Sequence, residues 1–178
     1  MSDVLWVSSQ GGMERCVLER TEGGRRLRGT ALLAVEGAPV EARYTVDIDP
    51  SWRTTDVSVV VEFAGGDVRE PALLGELWSG KERPPELEGC LDVDLGFSPS
   101  TNTLPIRRLG LPVGEAADVA AVWLRWPDLT VERLDQRYDR IGRDLYRYSS
   151  GRFSSVLKVD EEGLVLEYGD YWRVVASA

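Results

Sequence analysis

The sequence predicts a mainly β fold, a many-stranded and mostly antiparallel sheet carrying one short helix, and three observations carry that prediction. Apolar and polar residues alternate in runs of strand length along most of the chain. Gly, Pro, Asp and Asn punctuate those runs at short intervals, as turns between successive strands require. No segment keeps the helical apolar period of about 3.6 residues over three turns.

Taken in order, Tyr44, Val46 and Ile48 alternate with Arg43, Thr45 and Asp47, predicting a strand from Arg43 to Ile48. Asp49-Pro50 then turns the chain toward Trp52. Val57 to Phe63 reads as its hairpin partner, closed by Gly65-Gly66-Asp67, and the apolar run Val57, Val59, Val60, Val61 predicts burial on both faces or in a tight curl. Leu73, Leu74, Leu77 and Trp78 follow another turn, and Lys81 to Glu88, with Pro84-Pro85, reads as a loop.

From Leu91 to Leu95 the alternation predicts a strand that buries Leu91, Val93 and Leu95 and sets Asp92 and Asp94 side by side on its other face. Pro99 breaks that strand. Ser100, Thr101, Asn102 and Thr103 are N-cap candidates for a helix at about Thr103 to Leu109, with Pro105 in its first turn and Gly110 at its end. Val119 to Trp126, stopped by Pro127, reads as a buried strand, with a helix the alternative for so short an apolar run. Thr130 to Leu134 and Gln136 to Ile141 read as two strands. Asp144 to Ser149 is a further strand that places Tyr146 and Tyr148 on one face. Phe153 to Val159 and Gly163 to Tyr168 flank the turn Asp160-Glu161-Glu162-Gly163, and Tyr171 to Val175 is the final strand.

At 178 residues the chain is expected to form one domain, 1–178, large enough for a substantial core. It is 43% hydrophobic and 29% charged, a globular balance. The net charge of -9 opposes phosphate backbones and anionic bilayers, so neither nucleic acid nor an integral membrane association is expected, leaving a small molecule or a protein as partner. No run approaches the roughly 20 apolar residues of a membrane span, and MSDVLWVSSQ lacks a basic region followed by an apolar core, which predicts a cytoplasmic protein. In that compartment Cys16 and Cys90 are expected to be free thiols. Histidine is absent altogether, which removes Ser-His-Asp and Cys-His catalysis, the HExxH zinc site and the usual proton shuttle near neutral pH. The phosphate-cradling GxxxxGK[ST] and GxGxxG loops are missing too, so no cofactor and no metal are expected.

Three constellations carry chemistry. Asp92 and Asp94 stand about 7 Å apart along a strand by the strand rise. They could serve as an acid and base pair or hold a divalent metal, but pairing with Arg107 or Arg108 is the favoured reading. Adjacent helical residues point about 100° apart, so one of the two arginines is expected to approach the core and need a carboxylate. Trp52, Trp78, Trp123, Trp126 and Trp172, with Tyr138, Tyr146 and Tyr148, are mostly expected to pack in the core. Trp52, beside Asp49 and Arg53 at a strand end, is the one expected to line a cleft.

The run TNTLPIRRL, preceded by GC and DVD and followed by QRYDR and LYRYSS, resembles the glycolipid-binding family of small bacterial proteins, whose fold is a spiral β-roll. The resemblance runs from Trp6 to Val165 and Tyr168. It implies a sheet wrapped around the single helix, a homodimer, and a cleft likened to those of lipoprotein carriers rather than to any enzyme's. One departure is Ser100, which stands where a bulky aromatic is expected. On this footing the expected function is non-catalytic binding of an amphipathic, glycolipid-like molecule through Trp52, Asp92, Asp94, Asn102, Arg107, Arg108, Gln136 and Tyr138. The alternatives are a carbohydrate-active hydrolase using Asp92 and Asp94, and a dimeric interaction protein without a small ligand.

Overall fold

Two antiparallel meanders make one thirteen-stranded sheet in this computed structural model, which describes residues 1–178 except 72, 73, 75 and 79–82. The first meander holds β1 (Ser2–Ser8), β2 (Gly12–Thr21), β3 (Gly24–Val35), β4 (Ala38–Ile48), β5 (Thr54–Phe63) and β6 (Asp67–Arg69). After β7 (Asp92–Leu95) and the helix α1 (Thr103–Leu109), the second holds β8 (Ala116–Leu124), β9 (Val131–Arg140), β10 (Leu145–Ser150), β11 (Phe153–Val159), β12 (Val165–Tyr168) and β13 (Trp172–Ser177). The two are joined where β13 pairs with β1, giving the order β6-β5-β4-β3-β2-β1-β13-β12-β11-β10-β9-β8-β7.

A single departure from antiparallel pairing accounts for the helix. β7 runs parallel to β8, and parallel neighbours cannot be joined by a tight hairpin, so the chain must cross over. A 3-10 turn at Ser100–Asn102 and then α1 form that crossover, and Gly110 ends the helix in the left-handed conformation at φ 55°.

The sheet curls without closing. Its β7 end is thereby carried inside. Thr54 at the start of β5 donates its N–H to the Leu91 carbonyl at 3.1 Å, and Val93 and Leu95 enter a core with Trp6, Leu27, Val46 and Val57. On the other side, Ile106 of α1 meets Tyr138, Tyr146, Tyr148, Leu157 and Val165 in a second core. Trp6 ties the turns of the roll together, donating its indole N–H to the Val165 carbonyl at 2.7 Å. The result is the spiral β-roll, mainly antiparallel and wound around a short helix.

Several boundaries differ from the sequence expectation. The two strands expected at Thr130 to Leu134 and Gln136 to Ile141 are one, β9, over Val131–Arg140, because Asp135 continues the β8 ladder opposite Ala120. Leu91 lies before β7 and is 37% exposed, since the curl leaves nothing to cover it. The N-cap candidates do not cap: no side chain caps α1 at Asn102, because the preceding 3-10 turn already supplies the backbone partners. Leu73 and Lys81 lie outside the described residues, while Leu74 and Leu77 are buried and Pro85–Leu87 forms a 3-10 turn. Both cysteines are buried free thiols. No helix among the described residues is long and apolar enough to cross a membrane.

Candidate functional site

The β7–α1 unit divides its polar side chains between structural pairing and open hollows. Asp92, fully buried, takes a two-pronged ion pair from Arg108, with Nε to Oδ1 at 3.2 Å and Nη2 to Oδ2 at 2.5 Å. Burial pushes its carboxyl up while the guanidinium holds it back, so the pair offsets the cost of an interior charge. Asp94 accepts from the Gln136 amide at 2.5 Å, and that amide also reaches the Tyr148 hydroxyl at 3.2 Å. Burial raises the Asp94 carboxyl to about 6, the Gln136 hydrogen bond opposing it.

Asn102 and Tyr138 bond to each other, the phenol donating to Oδ1 at 2.8 Å, while the Asn102 amide donates to the Pro99 carbonyl. Arg107 reaches the Glu161 carbonyl at 3.1 Å. Trp52, held at φ 64° in a turn that the Asp49 carboxylate braces, is buried. The guanidiniums of Arg25 and Arg107 stand 4.2 and 5.2 Å from its ring centre.

Three hollows surround this unit. A cleft of about 760 Å³ is lined by Arg108 and Gln136 with Leu109, Val119, Ser149 and Ser150, so it gathers the helix end and the inner edge of β9. A second, of about 840 Å³, lies beside Arg107. The third, about 330 Å³, is walled by Phe97, Trp126, Phe153, Tyr168, Tyr171 and Trp172, with Ser8 and Gln10 adding polar groups.

The aromatic cleft is where two ladders of rings meet. One runs from Tyr44 through Phe97 to Trp126 and Phe63, with centroids 6.1, 5.3 and 6.3 Å apart. The other runs from Tyr138 through Tyr148 to Phe153 and Tyr168, and from these to Tyr171, at 5.3 to 6.2 Å. Behind each ladder stands an acid, Asp94 half-buried and Glu14 buried. Tyr148 leads through Gln136 to Asp94. Tyr44 donates to Glu14 at 2.5 Å, and Ser98 does so at 2.7 Å, while Ser100 bonds both Tyr44 and Ser98. Glu14 is wholly enclosed, its Oε2 has no partner among the described residues, and burial raises its carboxyl to about 7. The small side chain of Ser100 thus has a role: it completes this hydroxyl network in the space a larger residue would fill.

Phe97, Phe153, Tyr168 and Tyr171 were not singled out from the sequence. The available signal was the cluster Tyr168-Gly169-Asp170-Tyr171-Trp172, which puts more aromatic surface around a tight turn than a hairpin needs. Tyr171 is 40% exposed there. Among the described residues no group of three or more Cys, Asp or Glu side chains comes together as a metal site would.

With this geometry in hand, the chain can be set beside known proteins. It matches the family described as "Putative glycolipid-binding" over residues 3–174. The chain belongs to that family. A solved structure, the crystal structure of a DUF1089 family protein from Pseudomonas aeruginosa at 1.80 Å resolution, is similar at a TM-score of 0.73 and 29% identity, covering 94% of each chain. None of the curated proteins matches. The likeness to that solved structure extends over nearly the whole fold.

Proposed function

We propose that this member of the glycolipid-binding family is a non-catalytic binding protein for an amphipathic small molecule of glycolipid type. The observation that carries the reading is the convergence of six aromatic side chains on one open cleft of about 330 Å³. Such surface is costly to leave in water and offers rings to a sugar face or a short apolar chain. At the small end of ligand-pocket volumes, about 300 Å³, the cleft suits part of a glycolipid rather than all of it. Tyr148 supplies the continuation: its ring touches Phe153 and Tyr168, and its hydroxyl receives the Gln136 amide of the larger polar cleft. Polar groups of the ligand then lie along Arg108 and Gln136. Asp92 and Asp94 support this surface by orienting Arg108 and Gln136, and Asn102 and Tyr138 support it from beneath. Trp52 acts at one remove, beneath Arg107. The homodimer implied by the family resemblance belongs to the same reading, and light scattering tests it.

Trp126 and Trp172 make the cleft its own reporter. Octyl glucoside, titrated below its micelle threshold, is expected to change the tryptophan emission saturably. Tyr171→Ala, at an exposed ring, is expected to weaken that binding about tenfold, a loss of about 1.4 kcal/mol, with the fold intact. An unchanged emission in the wild-type protein, or equal binding in Tyr171→Ala, overturns the reading.

A further inference from the structure

The cleft beside Arg107 has a different chemistry from the aromatic one. Arg107 comes from α1, Arg140 from the end of β9 and Arg143 from the following turn, and all three line the same space of about 840 Å³ with Tyr146 and Gly163. Among the described residues none of the three forms an ion pair, although nine other arginines do: Arg15, Arg26, Arg28, Arg43, Arg69, Arg108, Arg125, Arg133 and Arg137. Three carboxylates, Asp144, Asp160 and Glu161, line the same space. Asp160 is turned inward to accept the Leu164 N–H at 2.8 Å, and the other two are exposed to water.

The arginines are held in place by other means. Arg140 donates to the Leu111 carbonyl at 2.7 Å and the Arg143 carbonyl at 2.6 Å, and its guanidinium lies 5.6 Å from the Tyr146 ring centre. Arg107 donates to the Glu161 carbonyl and runs flat across Gly163, where any Cβ would sit 2.7 Å from its Cδ. The backbone there has φ 82°, so glycine is suited on both counts. Tyr146 is 4% exposed, yet its hydroxyl has no hydrogen-bond partner among the described residues and is not sealed from solvent. Burial raises the Tyr146 phenol above its ordinary value and keeps it neutral, while the charges of Arg140 and Arg107 oppose that rise from nearby.

We infer that this cleft is an anion site that takes a phosphate monoester, bound by Arg107 and Arg143 with Tyr146 as a neutral donor and Arg140 as a fixed positive neighbour. Guanidinium forks fit phosphate oxygens two at a time, and hydrogen bonds between charged partners are about twice as strong as neutral ones. The exposed acids set a modest affinity by opposing a second negative charge.

The site is separate from the aromatic cleft, so the two readings fail independently. The full chain is titrated with inorganic phosphate, a hexose monophosphate and dihexanoyl phosphatidic acid, followed by amide shifts of Tyr146 and Gly163 and by calorimetry. Saturable shifts at both residues are expected. Arg143→Gln, at an exposed side chain, should weaken binding about tenfold, while Arg147→Gln, on the strand face opposite Tyr146, should leave it unchanged. Tighter binding of the hexose ester identifies a soluble phosphate as the source, and tighter binding of the phosphatidic acid a lipid headgroup. Absence of saturation with all three probes overturns the site, as does equal weakening by Arg147→Gln and Arg143→Gln.

Discussion

A carboxylic acid sealed from water, with two hydroxyls to share its charge and one oxygen unpartnered, favours its proton, and Glu14 is such an acid. Burial moves its pKa from 4.5 to about 7. The folded state therefore holds a proton that the unfolded state releases between those values, and stability falls as pH rises through that window. The full effect is about 3 kcal/mol, from about 1.4 kcal/mol per pKa unit. Glu14→Gln keeps an acceptor for Tyr44 and Ser98 and removes the ionisation. Urea unfolding of this variant is expected to lose most of the decline between pH 5 and 8, and to be more stable than wild type at pH 8; an undiminished decline would assign it to other groups. The burial of the acid at position 14 was not legible in the sequence, because its chain neighbours do not enclose it. What encloses it comes from Tyr44 and Ser98, thirty and more positions away.

At the scale of elements, neighbouring strands are matched through their small residues as much as their large ones. Gly29 on β3 faces Tyr44 on β4, and the Tyr44 ring lies over it so closely that a Cβ there would stand 2.5 Å from ring atoms. This open position lets the phenol cross β3 and reach Glu14 on β2. Gly29→Ala is expected to cost about 2 kcal/mol or more, as overpacked cores do, and to release the Tyr44–Glu14 bond. Chemical denaturation measures the first effect. The second appears as a shift in the Glu14 titration, which would stay at its wild-type value if the ring simply moved aside. Individual elements were well marked in the sequence: the helix at Thr103 to Leu109 and β11 at Phe153 to Val159 have the bounds the residues predict. The capping pattern failed because a 3-10 turn runs straight into the helix, which leaves the side chains of Thr101 and Asn102 to bond to Leu95 and Tyr138.

For the whole molecule, position in the sheet and position in space are different things. β6 and β7 are both end strands by pairing order, but β6 is exposed along its three residues whereas β7 is enclosed by the roll. Hydrogen exchange should separate them. The amides of Val93 and Leu95 are expected among the slowest in the protein and that of Val68 among the fastest, since local opening follows burial and contact rather than strand order. Fast exchange at Leu95 would mean that the β7–α1 unit opens independently of the sheet. Enclosure of β7 also explains how Asp92 and Asp94, outward by alternation, come to lie in protein: their face looks into the second core rather than into water.

Alternation and turn residues are local properties, and the β class and the place of the helix follow from them. The curl of the sheet is a sum of small twists over thirteen strands, and no residue encodes it alone. The winding of the chain settled that Arg108 is paired while Arg107, Arg140 and Arg143 form no ion pair among the described residues, and that rings from four separate segments share one cleft. Distances between side chains far apart in the chain are set when the roll winds, so chemistry that depends on those distances was invisible until it had.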